Sequence, residues 1–233
     1  MHGSYMATVM PIQNREVCSG CPSCMDSQKK AISKNARLKI NACDQTIPDR
    51  FRGVSFSDMR AANQSHEKII RASQRYAEKF SDALRIGHCL FFIGSYGTGK
   101  TSMACAIARE VYSRGYRVTY SRVLDLIDSI KDKTFRQKLS EHQALNSFTQ
   151  TDLLIVDEFG VQRSSEYELM ILTEILSRRD DAKKPTIFIS NLNLSGVKEI
   201  IGDRVFDRVR GSSSIFACEW PSFRPQNFKE VIG

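Results

Sequence analysis

No stretch of this 233-residue chain approaches the roughly 18 consecutive apolar residues that a bilayer span needs. The N-terminus also lacks the apolar core of a secretory signal. These two absences point to a soluble, intracellular chain with no membrane partner. No internal repeat and no long low-complexity segment occurs, so the length fits one large domain with a small appendage. Acidic residues are in deficit, 26 against 34 lysines and arginines, for a formal charge of +8. A nucleotide alone needs only a few positive groups, so this excess fits either a nucleic-acid partner or a generally basic surface. The hydrophobic share, 41%, is enough for a real core.

The most informative stretch is Cys89 to Ser102, CLFFIGSYGTGKTS. Leu90, Phe91, Phe92 and Ile93 read as a buried strand. They run into Gly94-Ser95-Tyr96-Gly97-Thr98-Gly99-Lys100-Thr101, which fits G-x-x-x-x-G-K-[ST]. Ser102 and a helix over Met103–Ser113 follow. Glycines allow the backbone to bring its N–H groups against phosphate oxygens, and the helix start adds unpaired N–H groups. Lys100 is expected on the β- and γ-phosphates, and the Thr101 hydroxyl on Mg²⁺.

About fifty residues later, Leu153-Leu154-Ile155-Val156 ends in Asp157 and Glu158, two acids where open α/β sheets bind ligands. Asp157 suits holding Mg²⁺, and Glu158 suits drawing the proton from the water that attacks the γ-phosphate. The strand Pro185–Asn191 ends in an amide that can orient that water, or is simply a turn residue. Gly202–Gly211 reads as a short helix. Arg204 and Arg208 share one of its faces and Arg210 lies elsewhere. They serve either a neighbouring subunit's nucleotide or local pairing with Asp203 or Asp207. Arg224, after a last strand over Ser214–Cys218, either approaches the phosphates or packs on aromatics.

Further expectations concern the remaining segments. A strand is expected over Tyr116–Tyr120, a helix over Val123–Ile130, and a helix from about Ser65 to Leu84 with Ser57 or Asp58 capping a shorter one before it. Thr46–Gly53 reads as a linker. Lys131, Lys133 and Arg136 surround Phe135. A base could stack on that ring while the cations hold the backbone, or the segment is a solvated loop with a tucked phenylalanine. Ser165 and Tyr167 face nucleic acid, or are a helix cap and a packed tyrosine. Cys89, Cys105 and Cys218 sit in apolar runs and read as small buried residues. Cys18, Cys21 and Cys24, with Cys43 as fourth ligand and His2 as a rival for it, could hold Zn²⁺. Free thiols or a redox pair are the alternatives, because no second x₂ pair is present.

In this order the blocks resemble an AAA+ ATPase. Within that class, LLIVDEFGVQRSSEYE, SRRDDAKKPTIFISNLN, GDRVFDRVR, KDKTFR and IPDRFRGVSF resemble the DnaC/DnaI helicase-loader group, over about residues 46–225. The resemblance implies an α/β P-loop NTPase of AAA+ (ASCE) type, with a five-stranded parallel sheet in the order 5-1-4-3-2 flanked by helices. It implies a small cysteine-bearing N-terminal segment, residues 1–50, that grips a DnaB-like replicative helicase, and an ATPase domain over 51–233. ATP with Mg²⁺ would be the cofactors. The modules would self-associate, in a hexameric spiral on the helicase, and bind single-stranded DNA in the cytoplasm of a bacterial cell, as a host or phage product. By position, Asn191 matches sensor 1, Arg208 the arginine finger, with Arg204 as its rival, and Arg224 the sensor-2 region. Phe135, Ser165 and Tyr167 match DNA-contacting positions. IstB-like transposition helpers, which act on duplex DNA with a transposase, share this core and are the alternative. A nucleotide-dependent adaptor with negligible hydrolysis is the third reading.

Overall fold

Five short strands form one parallel sheet. The computed structural model of the chain describes residues 9–12, 15–18, 47–160 and 165–224. The chain divides into two units, 1–42 and 43–233. In the first, β1 (Val9–Ile12) and β2 (Arg15–Cys18) pair antiparallel, with Val9 opposite Cys18. Cys21, Cys24, Cys43 and His2 lie outside the described residues, as does the side chain of Cys18, and the zinc expectation lies there with them. Among the described residues, no group of three or more His, Cys, Asp or Glu side chains is placed to hold a metal ion.

The second unit begins with 3₁₀ turns at Asp49–Phe51 and Phe56–Asp58, then α1 (Gln64–Glu78) and α2 (Phe80–Ile86). The sheet strands are β3 (Cys89–Gly94), β4 (Val118–Arg122), β5 (Leu153–Asp157), β6 (Thr186–Ser190) and β7 (Ser213–Cys218). Every pairing is parallel, in the order β4-β5-β6-β3-β7. Counted from the phosphate-loop strand and read from β7, this is 5-1-4-3-2. Parallel neighbours require crossovers. These are α3 (Lys100–Ser113), α4 (Val123–Phe135), α5 (Glu141–Thr149), α6 (Glu166–Asp181), α7 (Leu194–Ile201) and α8 (Asp203–Gly211).

Side-chain alternation sends each central strand to two cores. Leu153 and Ile155 join Leu90, Phe92, Met103 and Ile107 on the α3 side, while Leu154 and Val156 join Phe91, Leu126, Ile171 and Phe188 on the other. Asp157, two residues after Ile155, therefore points to the α3 side, where the phosphate loop ends. Cys89, Cys105 and Cys218 are buried, as expected.

The fold corrects several local expectations. The helix expected over 65–84 is broken at Lys79 (φ −105°, ψ 31°), and Phe80 restarts the chain edge-on to Tyr76 and Tyr116. The cap of the preceding turn is Ser55, whose amide and hydroxyl both donate to the Asp58 carboxylate. The fourth strand starts at Val118, because Tyr116 packs on Phe80 and the Arg117 amide donates to the Asp152 carboxylate. The following helix runs to Phe135, so Lys131–Phe135 is helix rather than loop. The stretch read as a linker is packed structure: Ile47 is 1% exposed in the α3-side core, Phe51 packs against that core, and Arg109 of α3 holds the Val54 carbonyl at 3.1 Å. The fully buried Arg179 was not singled out in the sequence. It donates to Thr186 Oγ1 and to the carbonyls of Phe148, Thr151 and Pro185, joining α5, α6 and β6, and burial lowers its pKa to about 10.

Candidate functional site

The loop between β3 and α3 has the geometry of an anion cradle. Gly94 has φ +123°, and a Cβ there would sit 2.5 Å from the Cys218 carbonyl oxygen, so only glycine lets β3 end this close to β7. Gly97 has φ +76°, and a Cβ would fall 1.9 Å from Ser222 Oγ. Gly99, in the left-handed region, leads straight into α3 at Lys100, so the unpaired amides of the first helical turn flank the loop. The Thr98 hydroxyl is turned inward and donates to the Ser95 carbonyl at 2.9 Å. Lys100 is 5% exposed, and its Nζ donates to the carbonyls of Gly94 (2.8 Å) and Ser95 (2.6 Å). Burial holds its pKa below the usual lysine range. A buried cation whose side-chain bonds go to neutral acceptors, beside the first amides of a helix that lack intrahelical partners, is a seat for an anion such as a phosphate.

The two acids take different positions. Asp157 is 5% exposed, and its Oδ2 accepts from Thr101 Oγ1 at 2.9 Å and from the Tyr120 hydroxyl at 2.6 Å. Its Oδ1 accepts the Glu158 amide at 2.7 Å. Burial and the neighbouring Asp157 charge push the Tyr120 hydroxyl far above its ordinary pKa, so it is a phenol and a donor. Thr101 and Asp157 form a hard-oxygen pair at the lip of the cradle, which suits Mg²⁺. Glu158 is half-buried at φ +57°, which turns it away from the strand direction. Glu158 and Asn191, just past β6, both line the same cavity as the cradle.

That cavity, about 730 Å³, has a wall of which sequence reasoning singled out only Arg224. Arg50, Phe51, Val54, Met59 and Arg60 line one part of it, and His66, Phe223 and Arg224 another. Trp220 donates from Nε1 to the Thr98 carbonyl at 2.9 Å, and the Phe223 amide donates to the Gly97 carbonyl at 2.8 Å. His66 stacks on Trp220, with ring centroids 4.2 Å apart, and accepts the Ala62 amide on Nδ1. Burial lowers the His66 pKa. The segment after β7 is thus strapped across the phosphate loop. Of the loop residues, Tyr96 is exposed (63%) and lines the cavity together with Ser102, and Ser95 offers its carbonyl to Lys100.

Other candidate residues lie away from this cavity. Arg208 pairs with Asp180 at 2.8 Å and with Asp181, both at the end of α6, rather than with Asp203 or Asp207. Arg204 is exposed, and Arg210 lies 5.9 Å over the Phe206 ring. At the end of α4, Lys131 pairs with Glu168 (3.4 Å), Lys133 donates to Ser147 Oγ (2.6 Å), and Arg136 pairs with Asp132 (3.3 Å). Phe135 is 75% exposed. Ser165 caps α6, accepting the Glu168 amide, and Tyr167 packs on the core with Lys131 6.0 Å over its ring. Among the described residues, no helix is long and apolar enough to cross a membrane.

Comparisons with known proteins bear on the family and the fold. The profile of a family described as IstB-like ATP binding protein matches residues 59–230. The replicative helicase loader DnaC of Buchnera aphidicola (subsp. Acyrthosiphon pisum) is 32% identical over 203 residues, 85% of this chain and 81% of that protein. DnaC of Escherichia coli K12 is 36% identical over 172 residues, 73% of this chain and 69% of that protein. A crystal structure of the DnaC helicase loader superposes with a TM-score of 0.65 at 21% identity, covering 73% of this chain and 99% of that one. This last likeness concerns the fold, which is that of an AAA+ P-loop protein. On the profile match and the two sequence relatives, the chain belongs to the family of IstB-like ATP-binding proteins that includes the DnaC replicative helicase loaders.

Proposed function

We propose that this chain is an ATP-hydrolysing loader that binds a DnaB-like replicative helicase and single-stranded DNA and places the helicase on that DNA. One observation carries the reading: Lys100, Thr101, Asp157, Glu158 and Asn191 gather at one cavity in a chain 36% identical to a helicase loader. Lys100 exchanges its neutral carbonyl partners for phosphate oxygens, a charge-assisted and stronger bond. Thr101 and Asp157 would hold Mg²⁺, which neutralises charge on the transferring phosphoryl group. Asn191 orients the attacking water and Glu158 takes its proton. Phe51, Val54 and Met59 give the cavity an apolar wall suited to the base.

The reading extends to a neighbouring subunit and to DNA. None of the α8 arginines lines the cavity of its own chain, so an arginine finger would have to come from a second copy. Arg208 must leave Asp180 and Asp181 to do so, whereas Arg204 is exposed with no ion pair among the described residues. Arg208→Ala is expected to keep ATP binding and to lose the acceleration of hydrolysis that comes with oligomerisation on helicase and DNA. Intact acceleration would transfer the role to Arg204. For the single strand, the exposed Phe135 offers a stacking face, with Arg136 beside it for the backbone. Ser165 and Tyr167, at the start of α6, are the other contact positions in this reading, although cap and core packing already occupy them.

The test is capture. Full-length protein is expected to co-purify with its host's replicative helicase, and deletion of residues 1–42 is expected to abolish capture while the ATPase unit stays folded. The deletion stops at 42 so that Ile47 remains in the core. Metal analysis of the same preparation decides whether Cys18, Cys21, Cys24 and Cys43 hold zinc. No helicase capture, together with a gel-shift preference for duplex over single strands, would instead select the transposition-helper reading that the family profile's name also allows.

A further inference from the structure

We infer that Tyr120 is a positioning residue for the magnesium-binding aspartate and that cation affinity at this site depends on its hydroxyl. The inference rests on reading the cavity as a Mg²⁺–nucleotide site. A carboxylate offers about four lone-pair positions on its two oxygens. At Asp157 three are taken: two on Oδ2, by Thr101 (2.9 Å) and Tyr120 (2.6 Å), and one on Oδ1, by the Glu158 amide (2.7 Å). The remaining position, on Oδ1, is the one left for the cation. Which oxygen faces the cation is therefore decided by the donors on Oδ2.

Those two donors differ in kind. Thr101 is itself a candidate ligand, so its hydroxyl has two tasks. Tyr120 has no place among the cavity-lining residues and comes from the interior of a sheet strand. Its ring is 7% exposed and packed in the α3-side core with Val118, Leu153 and Ile155. Parallel register puts Tyr120 opposite Ile155, so its hydroxyl reaches one pleat further along the same face to Asp157. Such a donor fixes the carboxylate's rotation from behind, as outer partners of metal ligands commonly do, and losing one usually weakens metal binding 10- to 100-fold. In the sequence, Tyr120 reads only as a β-forming core residue, because its partner is 37 positions away.

Tyr120→Phe keeps the ring and removes the donor. In full-length protein, Mn²⁺ binding in the presence of ADP, read by electron paramagnetic resonance, is expected to weaken about tenfold. The ADP affinity measured in EDTA is expected to stay at the wild-type value, because the phosphate cradle is untouched, while the melting temperature falls by a few degrees for the lost donor on a buried carboxylate. If the phenylalanine variant has no cooperative melt at ambient temperature, the same titration is run at lowered temperature, where a destabilised variant still folds. Mn²⁺ affinity within twofold of wild type, or an equal loss of ADP affinity with and without the cation, overturns the role of Tyr120 while leaving the site's identity intact. Failure of the wild-type protein to bind Mn²⁺ with ADP overturns both.

Discussion

Glu158→Gln is expected to bind ATP with wild-type affinity and to hydrolyse it about a thousandfold more slowly, within the range that general bases contribute. The two neighbouring acids are not interchangeable. Asp157 is buried, with three donors on its oxygens, and has little capacity left for a water proton. Glu158 is half-buried, lines the cavity, and has no side-chain partner among the described residues. Its left-handed backbone (φ +57°) is held by its own amide donating to Asp157, a local bond that offsets the cost of such a conformation. Glutamine has the same carbon skeleton and accepts that backbone equally well, so fold and binding survive while the basic oxygen is lost. The variant should therefore stay ATP-bound and remain on its helicase. Single-turnover hydrolysis at the wild-type rate in purified Glu158→Gln would remove it from the role of base.

The parts of this site that could be read in the sequence are those in which neighbours in sequence are also neighbours in space. Leu90–Ile93 and Leu153–Val156 are continuous apolar runs because both faces of their strands are covered, and the residues that follow, the phosphate loop from Gly94 and the acid Asp157, stand at the sheet's ligand edge. The glycine spacing of the phosphate loop is equally local. Tyr120, His66 and Trp220 escaped because their partners are distant. The Trp220–Thr98 bond spans 122 positions, and a histidine stacked on a tryptophan leaves no periodic trace. The stretch reads as a linker because Pro48, Asp49 and Gly53 do form turns, while Ile47 just before them and Phe51 among them reach the core. Helix α5 was overlooked although its start is written in Ser140 and Gln143, a reciprocal cap at the characteristic spacing. The partners of Arg208 could not be foreseen, because Asp180 and Asp181 meet it only once α6 and α8 pack together.

Lys100→Ala is expected to weaken ATP binding by about a hundredfold or more, with little change in melting temperature. The asymmetry follows from what Nζ touches. Within the protein it holds two loop carbonyls, neutral acceptors whose bonds contribute about 1 kcal/mol each. Its removal also relieves the desolvation that depresses its pKa, which offsets part of that loss. With ATP bound, the same ammonium faces phosphate charge inside a cradle that excludes most water, and truncating one partner of such a pair costs about 2–5 kcal/mol. Lys100→Arg is expected to fail as well. The forked donors of a guanidinium do not match the single point at which Nζ sits, between the Gly94 and Ser95 carbonyls and the Thr98 hydroxyl. Calorimetric titration of both variants with ATP, beside their melting curves, checks the argument. Binding within tenfold of wild type would mean that the loop amides and the helix terminus hold the phosphates without the lysine, and that Lys100 serves only to brace the loop through the Gly94 and Ser95 carbonyls.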